Sequence, residues 1–401
     1  MIDSLARIES STDVASESSP PSSQIPTPVL CHIFSYIKDR ETWEACHLTC
    51  KSVHQLMRFT CPAPFPEKPL QVAGVNDIDI FHPNLSTGAP SVLAMAVSFG
   101  TVTVWGSQNG KITSFSTPGA DIVNYSPDGR YLAVVCQQEG LVSIFDATDN
   151  TYPLLCGIRR QFPVTTTTFS RCSEKLAVGQ CDGSILIYSF VSSSYEDKGV
   201  HFRLEATIPV LSSSASPSHL IFHQTRPQIW CCLSTPKTFT NRHIIALWDW
   251  RHERIVQSCF FEDGGDEMEA IAMARSSEGV HFAASISDSR STLIWNLDRK
   301  EGLYQPEKSN EITCPTIDHM THDEKNCHSM KISSLDLSLD GRRLVTGSYD
   351  NSIRVWDIPS GRCIRKLKGH DRFCKVVKFI TPNGSSVVST GLDQTVRFWN
   401  I

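Results

Sequence analysis

No stretch of 18 or more residues in this 401-residue chain is free of polar interruptions, which leaves no candidate for a membrane-spanning helix. The first thirty residues lack a basic start, an apolar run and a cleavage site, so no secretory signal is expected. Of the 15 cysteines, an odd number, most stand singly in predicted strands, as Cys136, Cys172 and Cys259 do. Without the regular spacing of a disulfide scaffold they point to a reducing compartment, cytoplasmic or nuclear. The net charge is only −5, which argues against general nucleic-acid binding. The sequence also has no phosphate-binding glycine loop, no paired-carboxylate constellation and no nucleophile elbow. No catalytic residue, cofactor or metal is therefore assigned, and the chain is expected not to be an enzyme.

What is present is repetition. Between residues 341 and 401 one pattern occurs twice: an apolar run (Leu344 and Val345; Val387 and Val388), a small-residue and Asp turn, then an alternating strand ending in Trp356 or Trp399. Alternation at period 2 between turn signals predicts short strands. Strand-ending aromatics recur upstream at Trp105, Phe145, Tyr188, Trp248 and Trp295. That makes seven, spaced by 40, 43, 60, 47, 61 and 43 residues, with insertions expected near residues 191–200 and 299–327. The Ser126–Gly129 sequence SPDG reads as a hairpin turn.

The two clear repeats resemble the WD-repeat family through their Gly-His and Trp-Asp dipeptides and their 43-residue spacing. The resemblance implies a mainly β fold, a seven-bladed WD40 β-propeller over residues 70–401. It also implies two structural networks in which a His, a hydroxyl, an Asp and a Trp bond in series: His328, Thr346, Asp350 and Trp356, and His370, Ser389, Asp393 and Trp399. The last repeat lacks a fourth strand, and residues around Lys68 to Ala73 are the natural donor that closes the ring. Family members bind partner peptides on one face around the channel. By position in the two repeats, the substrate-binding residues there would be Lys331, Tyr349, Arg372, Phe373, Lys375 and Leu392, with Ser333 beside them. Arg354 and Arg397, two residues before each Trp, read as structural.

Ahead of this domain the composition changes twice. Residues 1–24 are rich in Ser, Pro and acidic residues and are expected to be disordered. Over residues 25–60, Leu30, Ile33, Phe34 and Ile37 recur at helical spacing, and two further short helices would bring Trp43, Leu48, Val53 and Leu56 to the same side. Residues 61–69 hold four prolines and read as a stiff linker. The segment from Ile25 and Pro26 through Leu30, the run Ile33 to Ile37, and Cys50 and Lys51 resembles the F-box, a small all-α unit, although Pro28 and Val53 depart from the common pattern. That resemblance implies a substrate receptor of an SCF-type ubiquitin ligase. Pro26, Leu30, Ile33, Phe34, Ile37, Leu48 and Val53 would dock a Skp-type adaptor and its cullin core, while the propeller holds a protein substrate. The other reading is a WD-repeat scaffold outside any ligase.

Two local features complete the reading. From Lys331 to Ile401 there are 12 Lys and Arg against 6 Asp, a net +6 that leaves −11 for the rest of the chain. One side is therefore basic, which suits an acidic or phosphorylated partner. Cys314, His319, His322, Cys327 and His328 fall within fifteen residues and are zinc-ligand types, but their spacing matches no standard finger, and His328 belongs to a blade network.

Overall fold

Short runs of Val, Ile, Leu and Ala alternate with Gly- and Asp-containing turns throughout the second half of the chain, and β-branched residues favour pleated, half-buried strands over helix. The computed structural model describes residues 69–401 apart from 82–91, 98–99, 107–109, 118, 193–199, 210–214, 224–225, 235–241, 263–267, 277–278, 287–290, 297–315, 318–327, 339 and 381–383. Its strands form seven four-stranded antiparallel sheets, the blades of a propeller. The expectations for residues 1–24, 25–60 and 61–68, and for Cys314, His319, His322 and Cys327, fall outside the described residues.

Each blade runs from an innermost to an outermost strand. Blade 1 comprises Val75–Phe81, Val92–Val97, Thr101–Gly106 and Gly110–Ser116, and blade 2 Ile122–Tyr125, Tyr131–Cys136, Leu141–Asp146 and Leu154–Arg159. Blade 3 comprises Val164–Phe169, Lys175–Gln180, Ile185–Ser192 and Val200–Ile208, and blade 4 Ser216–Phe222, Gln228–Ser234, Arg242–Asp249 and Arg254–Glu262. Blade 5 comprises Met268–Ser276, Gly279–Ile286, Ser291–Asn296 and Thr316–Ile317, and blade 6 Ile332–Leu337, Arg343–Ser348, Ser352–Asp357 and Arg362–Lys368. Blade 7 takes Cys374–Phe379, Ser386–Gly391 and Thr395–Asn400 from the end of the chain. Its fourth strand, Leu70–Gln71, comes from the start of the domain: Leu70 pairs with Val396 and Gln71 with Thr395. The Val72 amide adds a bond of 2.9 Å to the Gln394 carbonyl. Each innermost strand lies against that of the next blade, and blade 7 against blade 1, so the ring is closed.

All seven strand-ending aromatics named from sequence lie on third strands. The insertion near residues 191–200 lengthens the outer hairpin of blade 3, where Ser192 pairs with Val200. At the SPDG hairpin the Gly129 amide bonds the Ser126 carbonyl at 2.9 Å, and Gly129 has φ of 72°, a conformation that glycine adopts without a Cβ penalty. Cys172 departs from expectation. It is exposed in the turn after Val164–Phe169 rather than in a strand, because Ser170 and Ser173 close that turn with a bond of 2.9 Å.

The core is divided among the seams between blades. Ala94, Ala96, Val102 and Val104 of blade 1 pack on Val123, Leu132, Val134 and Phe145 of blade 2. Ala133, Val135 and Ile144 meet Val164, Leu176 and Val178 across the next seam. Val345, Ile353 and Val355 meet Cys374, Val377 and Val387 between blades 6 and 7. Removing a buried Val or Leu side chain from water contributes roughly 1.5–3 kcal/mol, so apolar seams supply most of what joins the blades.

Candidate functional site

Blades 6 and 7 carry the two hydrogen-bonded networks. In blade 6 the Trp356 indole N–H donates to Thr346 Oγ1 at 2.9 Å. Thr346 Oγ1 lies 2.8 Å from His328 Nε2, and His328 Nδ1 lies 3.0 Å from Asp350 Oδ2. In blade 7 Trp399 donates to Ser389 Oγ at 2.8 Å, Ser389 Oγ lies 2.8 Å from His370 Nε2, and His370 Nδ1 lies 2.9 Å from Asp393 Oδ2. One tautomer satisfies each series: the hydroxyl accepts from Trp and donates to Nε2, while Nδ1–H donates to the carboxylate. The carboxylates also accept from the following turn, Ser352 Oγ to Asp350 at 2.6 Å and Thr395 Oγ1 to Asp393 at 2.8 Å.

Burial lowers the pKa of both imidazoles and outweighs the bonds and charges of Asp350 and Asp393 that act the other way. Burial also pushes the Asp350 carboxyl upward, but the bonds from His328 and Ser352 and the His328 charge together hold it below the ordinary carboxylate range. Asp393 is likewise held low by Thr395 and His370 against its own burial. The neutral His and ionised Asp that result are the pair that the tautomer requires. With every member committed to a partner inside the blade, the networks brace the turns and present no group to a substrate.

The braced turns bring a set of side chains to one face. Tyr349 N–H bonds the Lys331 carbonyl at 3.0 Å, and Leu392 N–H bonds the Phe373 carbonyl at 3.0 Å, the same contact in consecutive blades. The Tyr349 and Phe373 rings meet across the seam with centroids 4.5 Å apart. Tyr349 remains 40% exposed, Leu392 42% and Met330 55%, so the turns of blades 6 and 7 carry open apolar surface. Lys331 and Arg372 are exposed beside it. Lys375 is placed differently from the expected open position. Its ammonium donates to the Val75 carbonyl at 2.9 Å and to Asn76 Oδ1 at 3.1 Å, locking the seam between blades 7 and 1. Ser333 is likewise turned inward, with its hydroxyl donating to the Cys374 and Gly347 carbonyls. Arg354 is buried, and Arg397 Nε donates to Thr395 Oγ1 at 3.2 Å.

Sequence reasoning passed over Met330, although it adjoins Lys331 in the same loop. It also passed over a cluster of charged residues on the innermost strands of blades 1, 6 and 7. Asp79 Oδ2 accepts from Tyr125 N–H at 2.7 Å and Asp336 Oδ2 from Phe379 N–H at 2.8 Å, each carboxylate reaching into the next blade. Lys378 Nζ stands 3.7 Å from Asp79 Oδ1 and 4.0 Å from Asp77 Oδ1. Burial raises the Asp336 carboxyl to about 6 against the opposing Phe379 bond and Lys378 charge. Among the described residues no group of three or more His, Cys, Asp or Glu is arranged to hold a metal ion, and no helix is long and apolar enough to cross a membrane.

Residues 322–357 and 361–400, the two network-bearing repeats, match the profile of the WD domain, G-beta repeat. Nuclear distribution protein PAC1 of Arthroderma otae is 41% identical over 61 residues, which cover 15% of this chain and 13% of that protein. Ribosome biogenesis protein YTM1 of Candida glabrata is 38% identical over 68 residues, 17% of this chain and 14% of that protein. Guanine nucleotide-binding protein subunit beta-5b of Danio rerio is 26% identical over 178 residues, 38% of this chain and 44% of that protein. The matched regions thus span between about an eighth and under half of these relatives. Among solved structures, the β-propeller domain of Cps50 (Swd1) from Myceliophteria thermophila superposes with a TM-score of 0.60 at 14% identity, covering 83% of this chain and 99% of that domain. The chain carries WD40 repeats and has a WD40 β-propeller fold.

Proposed function

We propose that this WD40 propeller is a non-catalytic scaffold that binds a protein segment on the face of blades 6 and 7. The observation that carries this reading is the exposed apolar group Met330, Tyr349 and Leu392, backed by Phe373 and flanked by Lys331 and Arg372. Aromatic residues and Arg on a rigid, partly dehydrated support are the composition of interface hot spots. The networks of His328 and His370 supply the rigidity, so little ordering cost remains to be met on binding. The chosen partner is a segment with an apolar anchor and acidic neighbours. The test is quantitative affinity capture with the full chain and a Tyr349→Glu/Leu392→Glu variant. Proteins captured by the wild type should fall at least tenfold with the variant and be unchanged with Arg130→Glu, which alters an exposed turn of blade 2. Equal capture by all three would overturn the assignment of this face.

A finer reading makes the scaffold a substrate receptor of an SCF-type ubiquitin ligase, and it is supported by the sequence pattern of Pro26, Leu30, Ile33, Phe34, Ile37, Leu48 and Val53. In that case residues 25–60 would bind a Skp-type adaptor with its cullin core, and the propeller would hold a substrate without performing covalent chemistry. Purified adaptor should be pulled down by the full chain and lost with Ile33→Asp/Phe34→Asp. No retention by the wild-type chain would leave the scaffold reading without the ligase.

A further inference from the structure

The outermost strand of blade 6, Arg362–Lys368, carries Arg362, Arg365, Lys366 and Lys368 and no acidic residue. The corresponding outer strands differ. Gly110–Ser116 has one cation, Leu154–Arg159 one, and Val200–Ile208 and Arg254–Glu262 each pair one Arg with one Glu. Thr316–Ile317 and Leu70–Gln71 have no charged residue. A single Lys or Arg on an edge strand guards against edge-to-edge association, and the other blades manage with one at most in excess. Four on one strand exceed that need.

Among the described residues these cations also have no carboxylate within ion-pair distance. Lys175 pairs with Glu205 and Arg159 with Glu139 on blades 2 and 3, whereas no ion pair among the described residues engages Arg362, Arg365, Lys366 or Lys368. A fifth cation lies beneath them: Arg354, buried, occupies the register position opposite Lys366. Burial, then the charges of Arg354 and Lys368, hold Lys366 below the ordinary lysine value. Ile364 sits at the bulge between the pairs Val355–Arg365 and Trp356–Cys363 and is 41% exposed. Beyond the bulge, Arg365 to Lys368 run in regular register with Ser352 to Val355, and among the described residues no strand pairs on their other side.

We infer that the open edge of blade 6 at Arg365–Lys368 is a second interaction surface, which takes an acidic, extended polypeptide segment as an added strand. The edge offers backbone N–H and C=O groups at strand spacing, which another extended peptide satisfies and a nucleic acid does not. Acidic side chains at alternate positions of the incoming strand share one face of the sheet and would meet Lys366 and Lys368 there, while Arg365 adds positive charge from the other face. This surface is the outer edge of blade 6, whereas Tyr349 lies in the turn between the second and third strands of that blade.

The probe is a fluorescein-labelled twelve-residue peptide of alternating Glu and Val, titrated with the full chain and followed by anisotropy. Comparison probes are the same peptide with Pro at every second Val, which cannot complete backbone pairing, and a twelve-nucleotide oligothymidine. The expected result is saturable binding of the Glu-Val peptide, at least tenfold weaker for the Pro peptide and for an Arg365→Glu/Lys366→Glu/Lys368→Glu variant. Lys331→Glu/Arg372→Glu should bind within twofold of wild type. An Arg365→Gln/Lys366→Gln/Lys368→Gln variant, checked by thermal melting, carries the comparison if charge reversal disturbs folding. No binding, equal binding of the Pro peptide, tighter binding of the oligonucleotide, or loss only with the Lys331 and Arg372 changes would each overturn the inference.

Discussion

Trp356 and Trp399 each donate to a hydroxyl on the neighbouring strand, Thr346 paired opposite Arg354 and Ser389 opposite Arg397. At the equivalent register position the other blades carry Met95, Val134, Val178, Cys231 and Ala284. Without a hydroxyl the series cannot form, and the buried Trp248 indole N–H has no acceptor among the described residues. Ser389→Ala should therefore strand two donors or acceptors at once and cost about 1–3 kcal/mol, read as a lower denaturant midpoint at constant slope. The pH dependence has two opposed parts. His328 and His370 have folded values below the unfolded value of about 6.5, so the unfolded chain binds the proton first and stability is lost as pH falls below that point. Asp336, raised to about 6, has the opposite sign: protonating it between about pH 6 and 4 favours the fold. Asp336→Asn removes that offset, so urea midpoints of the variant should fall more steeply from pH 6.5 to 4 than those of the wild type. The network residues were legible in the sequence because their offsets are fixed within one repeat. The charged cluster of Asp77, Asp79, Asp336 and Lys378 was not, because NDIDI and SLDL read as ordinary half-exposed strands. Only closure of the ring brings Lys378 from one end of the domain to Asp77 and Asp79 at the other.

At the scale of the element, third strands were easily read and fourth strands were not. A third strand ends in an aromatic whose ring fills a seam, as Phe145 does against Phe115 at 4.6 Å. A fourth strand is half exposed and has no comparable constraint, so Gly110–Ser116 and Leu154–Arg159 share no residue pattern. The end of the second strand is sterically restricted where the network forms. A Cβ on Gly391 would lie 2.5 Å from both Asp393 Oδ1 and His370 Nδ1. Gly391→Ala is expected to cost about 1–3 kcal/mol through this overpacking and to lower the melting temperature, whereas Gly361→Ala meets no atom within 4 Å and disturbs packing less. Gly361 has φ of 66°, so its substitution reports backbone strain alone. The two melts together separate steric from conformational cost.

For the whole molecule, the decisive contact is the pairing of Leu70 and Gln71 with Val396 and Thr395. Leu70 and Val72 also pack with Val75, Ile78, Val388 and Val396, so the closing strand fastens blade 7 to blade 1 through apolar contact as well as backbone bonds. Deleting residues 69–73 should abolish the single cooperative thermal transition; a sharp melt at the wild-type temperature would show that the ring holds without its clasp. The placement of this strand was legible from the incomplete final repeat, whereas the Lys375 tether to Val75 and Asn76 was not, since it joins residues 300 positions apart. That same arrangement sets a timetable during synthesis. The residues that complete blade 7 leave the ribosome before any other part of the domain, and their partner strand about 325 residues later. At roughly 5–20 residues per second, Leu70 and Val72 wait on the order of a quarter of a minute to a minute with their apolar side chains and pairing edge uncovered. The propeller is thus open to misassociation at its first strand while the rest of the domain is being made, and a holding chaperone would find a binding site there.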